Sequence, residues 1–264
     1  MELGLKGKRA LLLASSTGLG FASAQVLARE GVHVCVSGSD ETRARDAANR
    51  IVAETGGTAI GLVGDLSDPA NMDRLAQESE AELGGAIDIL ILNHGGPPLR
   101  KASEVTADEL TSHSNRMMLS LIRIVQLVLP GMRENKWGRI VMVGAPAVGE
   151  PIPNNVLSNL YRGGMANYCK TLAAEVIGDG VTVNVVSPSA VRTDRTVSTA
   201  EQRGALKGIS GEQELADREA ATLARRFGTP EEFGAMVAFI ASDHAGYTTG
   251  ANIRVDGGSA KGFG

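Results

Sequence analysis

The sequence predicts an α/β fold: one doubly wound parallel sheet with helices on both faces. Two observations carry that expectation. Short apolar runs of strand length alternate with longer stretches of helical periodicity from residue 8 to residue 255. The run 87–92 (IDILIL) is apolar almost throughout, as in a strand covered on both faces. Strands joined through helices take right-handed crossovers, which place helices on both sides of the sheet. No linker, repeat or low-complexity run interrupts the alternation, so residues 1–264 read as a single domain.

The first strand is expected at 10–14 (ALLLA). A small-residue turn follows, Ser15-Ser16-Thr17-Gly18-Leu19-Gly20. Phe21, Ala24, Val26 and Leu27 then recur at helical spacing up to a stop at Gly31. The β-branched run 32–37 (VHVCVS), between Gly31 and Gly38, is the second strand. A polar amphipathic helix over 41–55 and a third strand over 58–63 come next. A helix is expected at 69–83, with Asp68 as its N-cap. After the fourth strand, 87–92, helical periodicity runs over 106–129 and Pro130-Gly131 is expected to end it. A fifth strand (139–143), a long helix (156–177) and a sixth strand (181–187, stopped by Pro188) follow. The polar stretch 194–226, with Gly204, Gly208 and Gly211, is expected to be a mobile lid. A helix over 230–242 and a strand over 252–255 close the pattern.

Composition excludes several classes. The chain carries 26 basic and 30 acidic residues, a net charge of −4, and no basic block, so nucleic acid is not an expected partner. No apolar run is long enough to span a bilayer, and the N-terminal MELGLKGK lacks the apolar segment of a signal peptide. Cys35 and Cys169 lie far apart in apolar-periodic segments, which predicts buried reduced thiols and a cytoplasmic location. No Cys/His cluster has zinc spacing, so no metal is expected.

Strand, small-residue turn and helix over 8–30 form a phosphate cradle. A helix N-terminus offers unpaired N–H groups and partial positive charge, and glycine lets a pyrophosphate approach the backbone. In such sheets ligands bind beyond the carboxyl ends of the strands. Site residues are therefore expected at 14–20, 37–40, 64–66, 93–98, 144–150 and 187–193.

Taken in order, these segments resemble the motifs of the short-chain dehydrogenase/reductase family. The first turn resembles its TGxxxGxG pattern, with Leu13 and Ala14 where that pattern has Thr and its first Gly, and Gly18 and Gly20 matching. Gly64-Asp65-Leu66 resembles the segment that meets the adenine ring. Asn93-His94-Gly95-Gly96 resembles NNAG, and the stretch from Ser187 through Pro188 and Val191 to Thr193 resembles PGxxxT. The segments 226–232 and 247–258 resemble the family's C-terminal signature. The resemblance implies a Rossmann-like fold and a nicotinamide cofactor held by Ala14, Ser16, Thr17, Gly18, Leu19, Gly20, Ser39, Asp65, Leu66, Asn93, Gly95, Arg162, Pro188, Val191 and Thr193. It also implies a small-molecule substrate and a homo-oligomer, tetramer or dimer, built through the helices at 106–129 and 156–177. Read from the residues alone, Asp65 also serves as a turn former, Asn93 as a brace between two strands, and Thr193 as a helix N-cap.

An acid at the end of the second strand would bind a ribose 2′-hydroxyl and repel a 2′-phosphate. Here stand Ser37-Gly38-Ser39-Asp40, with Arg43 one turn on and Asp40 placed to N-cap the next helix, so NADP(H) is favoured over NAD(H).

The family's chemistry pairs hydride transfer with proton transfer through a Tyr, a Lys four residues later, a Ser and an Asn. A Tyr at about 10 needs a neighbouring cation to work near neutrality. This chain has no Tyr-x-x-x-Lys: Tyr161, Tyr168 and Tyr247 are followed four residues on by Met165, Leu172 and Ala251. Aligned on 172–175, Ser158 stands at the Tyr and Arg162 at the Lys; Ala145 stands at the Ser, and Met117 near the Asn with Asn115 two residues away. The candidate catalytic residues are therefore Ser158, Arg162, His94 and Tyr161. Arg162 keeps charge and hydrogen-bonding capacity but relays no proton. Three readings stand at this point: an atypical NAD(P)(H)-dependent oxidoreductase acting on a carbonyl or alcohol, a non-redox lyase or isomerase, and a non-catalytic nucleotide-binding partner protein. Prolines at 97, 98, 151 and 153 stiffen the expected mouth of the site. Arg100 and Lys101 read as solvated surface charges, with reception of an anionic substrate as the competing role.

Overall fold

The computed structural model describes residues 1–260. Seven parallel strands form one sheet in the order β3-β2-β1-β4-β5-β6-β7. They are β1 (Arg9–Leu12), β2 (His33–Gly38), β3 (Ala59–Val63), β4 (Ile89–Leu92), β5 (Gly138–Val143), β6 (Val181–Pro188) and β7 (Asn252–Val255). The order reverses between β1 and β4. Their carboxyl-end loops diverge there and open the crevice that doubly wound sheets use for ligands.

Side chains alternate across each strand and feed two cores. Leu11, Leu90, Ile140 and Val183 face one side, with α3 (Asn71–Leu83), α5 (Ser120–Glu134) and α6 (Val156–Val176). Leu12, Val34, Ile91 and Val141 face the other, with α1 (Gly18–Arg29), α2 (Glu41–Thr55) and α9 (Pro230–Ile240). Burial on both faces is why the strands read as apolar runs.

Several expectations need correction. The α3 helix begins at Asn71 with Ala70 as N-cap; the Asp68 carboxylate instead accepts from the Ala70 N–H, 3.0 Å, and shapes the preceding turn. The predicted helix 106–129 divides into α4 (Ala107–Ser114), a π-helical turn (Asn115–Leu119) and α5, which continues through Pro130 to Glu134. Proline costs α5 one hydrogen bond, and burial of Val128, Leu129 and Met132 around it holds the helix together. The polar stretch 194–226 contains two helices, α7 (Asp194–Lys207) and α8 (Gly211–Ala221). Ala200 and Gly204 are buried, and Lys207 pairs with the buried Glu214 at 2.7 Å. Cys35 and Cys169 are buried free thiols, and burial pushes both pKa values up, Cys169 to about 12. No helix among the described residues is long and apolar enough to cross a membrane.

Candidate active site

The turn after β1 is built for a close approach. Ala14 takes a left-handed φ of 44°, the conformation that favours the glycine the motif has at this position. Gly18 also has positive φ, 62°. A Cβ on Gly20 would lie 2.8 Å from the Cα of Ser15 and from the Asn93 amide nitrogen, so the turn closes only on glycine. Helix α1 starts from Thr17 with no side-chain cap and no acid in its first turn. By contrast α2, α4, α7, α8 and α9 are capped by Asp40, Thr106, Thr193, Ser210 and Thr229. An uncapped N-terminus above a glycine turn fits a pyrophosphate.

The other predicted binding residues surround this cradle. A Cβ on Gly38 would come within 3.1 Å of the Ser16 hydroxyl, so β2 ends against the turn. Ser39 is exposed beside it. Asp40 is engaged in capping α2, accepting from Arg43 N–H at 2.8 Å. Asp65 accepts from the Ser67 amide (2.9 Å) and hydroxyl (2.7 Å), which lower its pKa. Leu66 sends its side chain into the core, and its carbonyl accepts from the Ser120 hydroxyl, 2.8 Å. Asn93 donates its amide to the Ala14 carbonyl, 2.8 Å, bracing β4 to β1. Pro188 ends β6, Val191 is buried, and Thr193 caps α7 through Thr196 N–H at 3.3 Å. Thus Asn93 and Thr193 each hold the structural role the residues alone suggested.

The catalytic candidates separate. Ser158 and Arg162 lie one turn apart on α6, both buried. The Arg162 Nη1 donates to the carbonyls of Val143 (2.6 Å) and Gly144 (2.8 Å) at the end of β5. Burial, with Arg195 nearby, lowers its pKa to about 10. Tyr161 does not join them. Its hydroxyl donates to the Leu110 carbonyl at 2.6 Å, its ring packs with Met117 and Leu157, and burial raises its pKa. One helical residue is a rotation of about 100°, which carries Tyr161 off the Ser158–Arg162 face. His94 sits in the β4 loop, Nδ1 donating to the Gly95 carbonyl at 2.8 Å. Its buried Nε2 has no partner among the described residues. Burial and the Arg162 charge hold its pKa at about 3, below the ordinary 6.5 of a histidine, so the ring is a neutral acceptor rather than an acid–base group near neutrality.

Sequence reasoning missed Arg195. On the first turn of α7 it donates from Nη2 to the Pro97 carbonyl, 2.9 Å, and its guanidinium lies 3.3 Å from where a Gly96 Cβ would be. One signal was available: a cation in a helix's first turn opposes the macrodipole. Ser67 was missed as well. Arg100 pairs with Glu109 (2.6 Å) and Lys101 with Glu104 (2.9 Å), so neither receives an anion as placed. A cavity of about 510 Å³ lies toward β7 between Ala145, Pro146, Ser187, Asn252 and Arg254. It borders the β5 loop but does not include Ser158, Arg162 or His94.

A family model described as enoyl-(acyl carrier protein) reductase matches residues 13–260. The chain is 30% identical over 268 residues to the 3-oxoacyl-(acyl-carrier-protein) reductase of Escherichia coli (strain K12), covering 97% of this chain and 98% of that protein. L-sorbose reductase from Gluconobacter frateurii, solved with NADPH and L-sorbose, aligns at a TM-score of 0.92 and 27% identity over 100% of both chains. A 3-oxoacyl (acyl-carrier-protein) reductase from Agrobacterium tumefaciens C58 with NADP bound aligns at 0.87 and 30% identity, over 97% of this chain and 96% of that one.

Proposed function

This chain belongs to the short-chain dehydrogenase/reductase family, and we propose that it is an NADP(H)-dependent oxidoreductase acting on the carbonyl or alcohol of a small molecule. Ser158 and Arg162 replace the family's Tyr and Lys. The observation that carries the reading is the uncapped, glycine-lined start of α1, flanked by Asp65 and Asn93. Ser16, Thr17, Gly18 and Leu19 would hold the pyrophosphate, and Asp65 the adenine side. Ser39 and Arg43 would face a 2′-phosphate, with the nearby Asp40 carboxylate engaged by the Arg43 amide and, at 3.7 Å, by the exposed Arg43 guanidinium that would turn to the phosphate. Relatives solved with NADPH and NADP support that choice.

A nicotinamide cofactor, when bound, supplies or accepts a hydride. The chain's own contribution is orientation and charge. Arg162, anchored on two β5 carbonyls, is a fixed cation that stabilises negative charge developing on a substrate oxygen. It holds no transferable proton near neutrality. Ser158, one turn earlier, hydrogen-bonds that oxygen and passes a proton to or from water. With Tyr161 turned away and His94 neutral, rate rests chiefly on positioning. Leu119 and Leu160 stay half exposed near the start of α5 and on α6, which supports homo-oligomer formation through these helices.

The test is titration followed by nicotinamide fluorescence. Trp137 is unsuitable as a reporter, since it precedes β5 at the amino ends of the strands, away from the crevice at their carboxyl ends. Saturable NADPH binding, tighter than NADH binding, is expected. No saturable binding of either nucleotide would overturn the proposal.

A further inference from the structure

Two guanidinium groups border this site with no ion-pair partner among the described residues. Arg162 is buried and bonds only backbone carbonyls, through one nitrogen. Arg195 is exposed and bonds the Pro97 carbonyl, again through one nitrogen. Neither forms an ion pair among the described residues, whereas Arg9, Arg100, Arg123 and Arg226 each do. Arg162 sits on the carbonyls that end β5, and Arg195 on the loop that follows the neighbouring strand β4. A buried charge without a counter-charge is costly, and a second cation beside it adds to the cost. Beside them, Nε2 of His94 is a buried lone pair with no donor, since Nδ1 carries the ring proton to Gly95. The site therefore offers two unneutralised cations and one unmet acceptor.

We propose that the substrate is a hydroxy acid, its carboxylate taken between Arg195 at the mouth and Arg162 at the floor, and its hydroxyl donating to Nε2 of His94. The proposal deepens the oxidoreductase reading and rests on it for the reaction, though not for binding. A carboxylate supplies the missing counter-charge, and a planar guanidinium suits it better than an ammonium does. The hydroxyl supplies the missing donor. Arg195, exposed on the first turn of α7, draws the anion in and exchanges the Pro97 carbonyl for it. Arg100 and Lys101, already paired with acids, do not compete.

Calorimetric titration at constant ionic strength tests this. Lactate and 3-hydroxypropanoate are compared with propane-1,2-diol and propane-1,3-diol, which keep the carbon skeleton and lose the carboxylate. The acids are expected to bind at least about tenfold more tightly than the diols. Arg195→Gln should abolish most of that preference and Arg195→Lys should restore part of it. Both changes lie on an exposed first turn and leave the core intact. The ¹⁵N resonance of His94 Nε2 should move on adding the acids to wild type. Equal affinity for acids and diols, binding of neither, or an Arg195→Gln protein that keeps the preference would overturn the proposal. NADPH titration of the same sample reads the cofactor separately. Carboxylate preference without nucleotide binding would refute the oxidoreductase reading alone.

Discussion

Acidification should destabilise this protein through His94, by an amount the structure sets. The ring is buried at the end of β4, with Nδ1 on the Gly95 carbonyl and Nε2 unpartnered. Burial and then the Arg162 charge hold its pKa at about 3, below the ordinary 6.5. The folded value is depressed, so the unfolded chain takes up the proton first as pH falls. No penalty exists above the unfolded value. Below it, stability drops by about 1.4 kcal/mol per pH unit until the folded value is reached. Between pH 7 and pH 5 the residue should therefore cost about 2 kcal/mol. His94→Gln removes the titration and keeps a neutral polar side chain. Urea unfolding of both proteins at pH 7 and pH 5 isolates the effect: wild type should lose about 2 kcal/mol more than the variant. Equal losses would refute the reasoning. So would an NMR titration that finds His94 protonating near pH 6.

Tyr161→Phe should lower stability by about 1 kcal/mol, through loss of the bond to the Leu110 carbonyl, and leave kcat unchanged. Unfolding curves and steady-state rates check the two halves independently. Gly20→Ala should destabilise the chain by about 1–3 kcal/mol and weaken NADPH binding at least about tenfold, because its Cβ meets the backbone of Ser15. Denaturation and nicotinamide fluorescence report each.

What was legible in the sequence was whatever local pattern decides. The bounds of α2 are those read from the sequence, because Asp40 caps its start and glycine ends it. The crevice loops followed from strand ends, and strand ends from apolar runs bounded by small residues. Patterns that depend on neighbours were not legible. Pro130 signals a stop, yet packing around α5 outweighs one lost bond. The α7–α8 pair has almost no apolar face to give a period; it is held by Gly204 against the following turn and by the Lys207–Glu214 pair.

At the site the same division decides which residues can act. Spacing placed Ser158 and Arg162 on one helical face, but it could not show that Tyr161 is spent on the Leu110 carbonyl. Nor could it show that burial strips His94 of its proton. Charge neutralisation is a three-dimensional property: Arg100 looks available in sequence and is paired, whereas Arg195 has no acid partner among the described residues. The family's Tyr–Lys pair solves its chemistry with a titrating acid next to a cation. In the function proposed above, Arg162 keeps the cation as a guanidinium fixed on the end of β5, and Arg195 stands on the neighbouring β4 loop. Such a site gains little from proton donation and much from holding negative charge in place. Its specificity is therefore expected to follow the charge of the substrate more closely than its reaction rate follows pH.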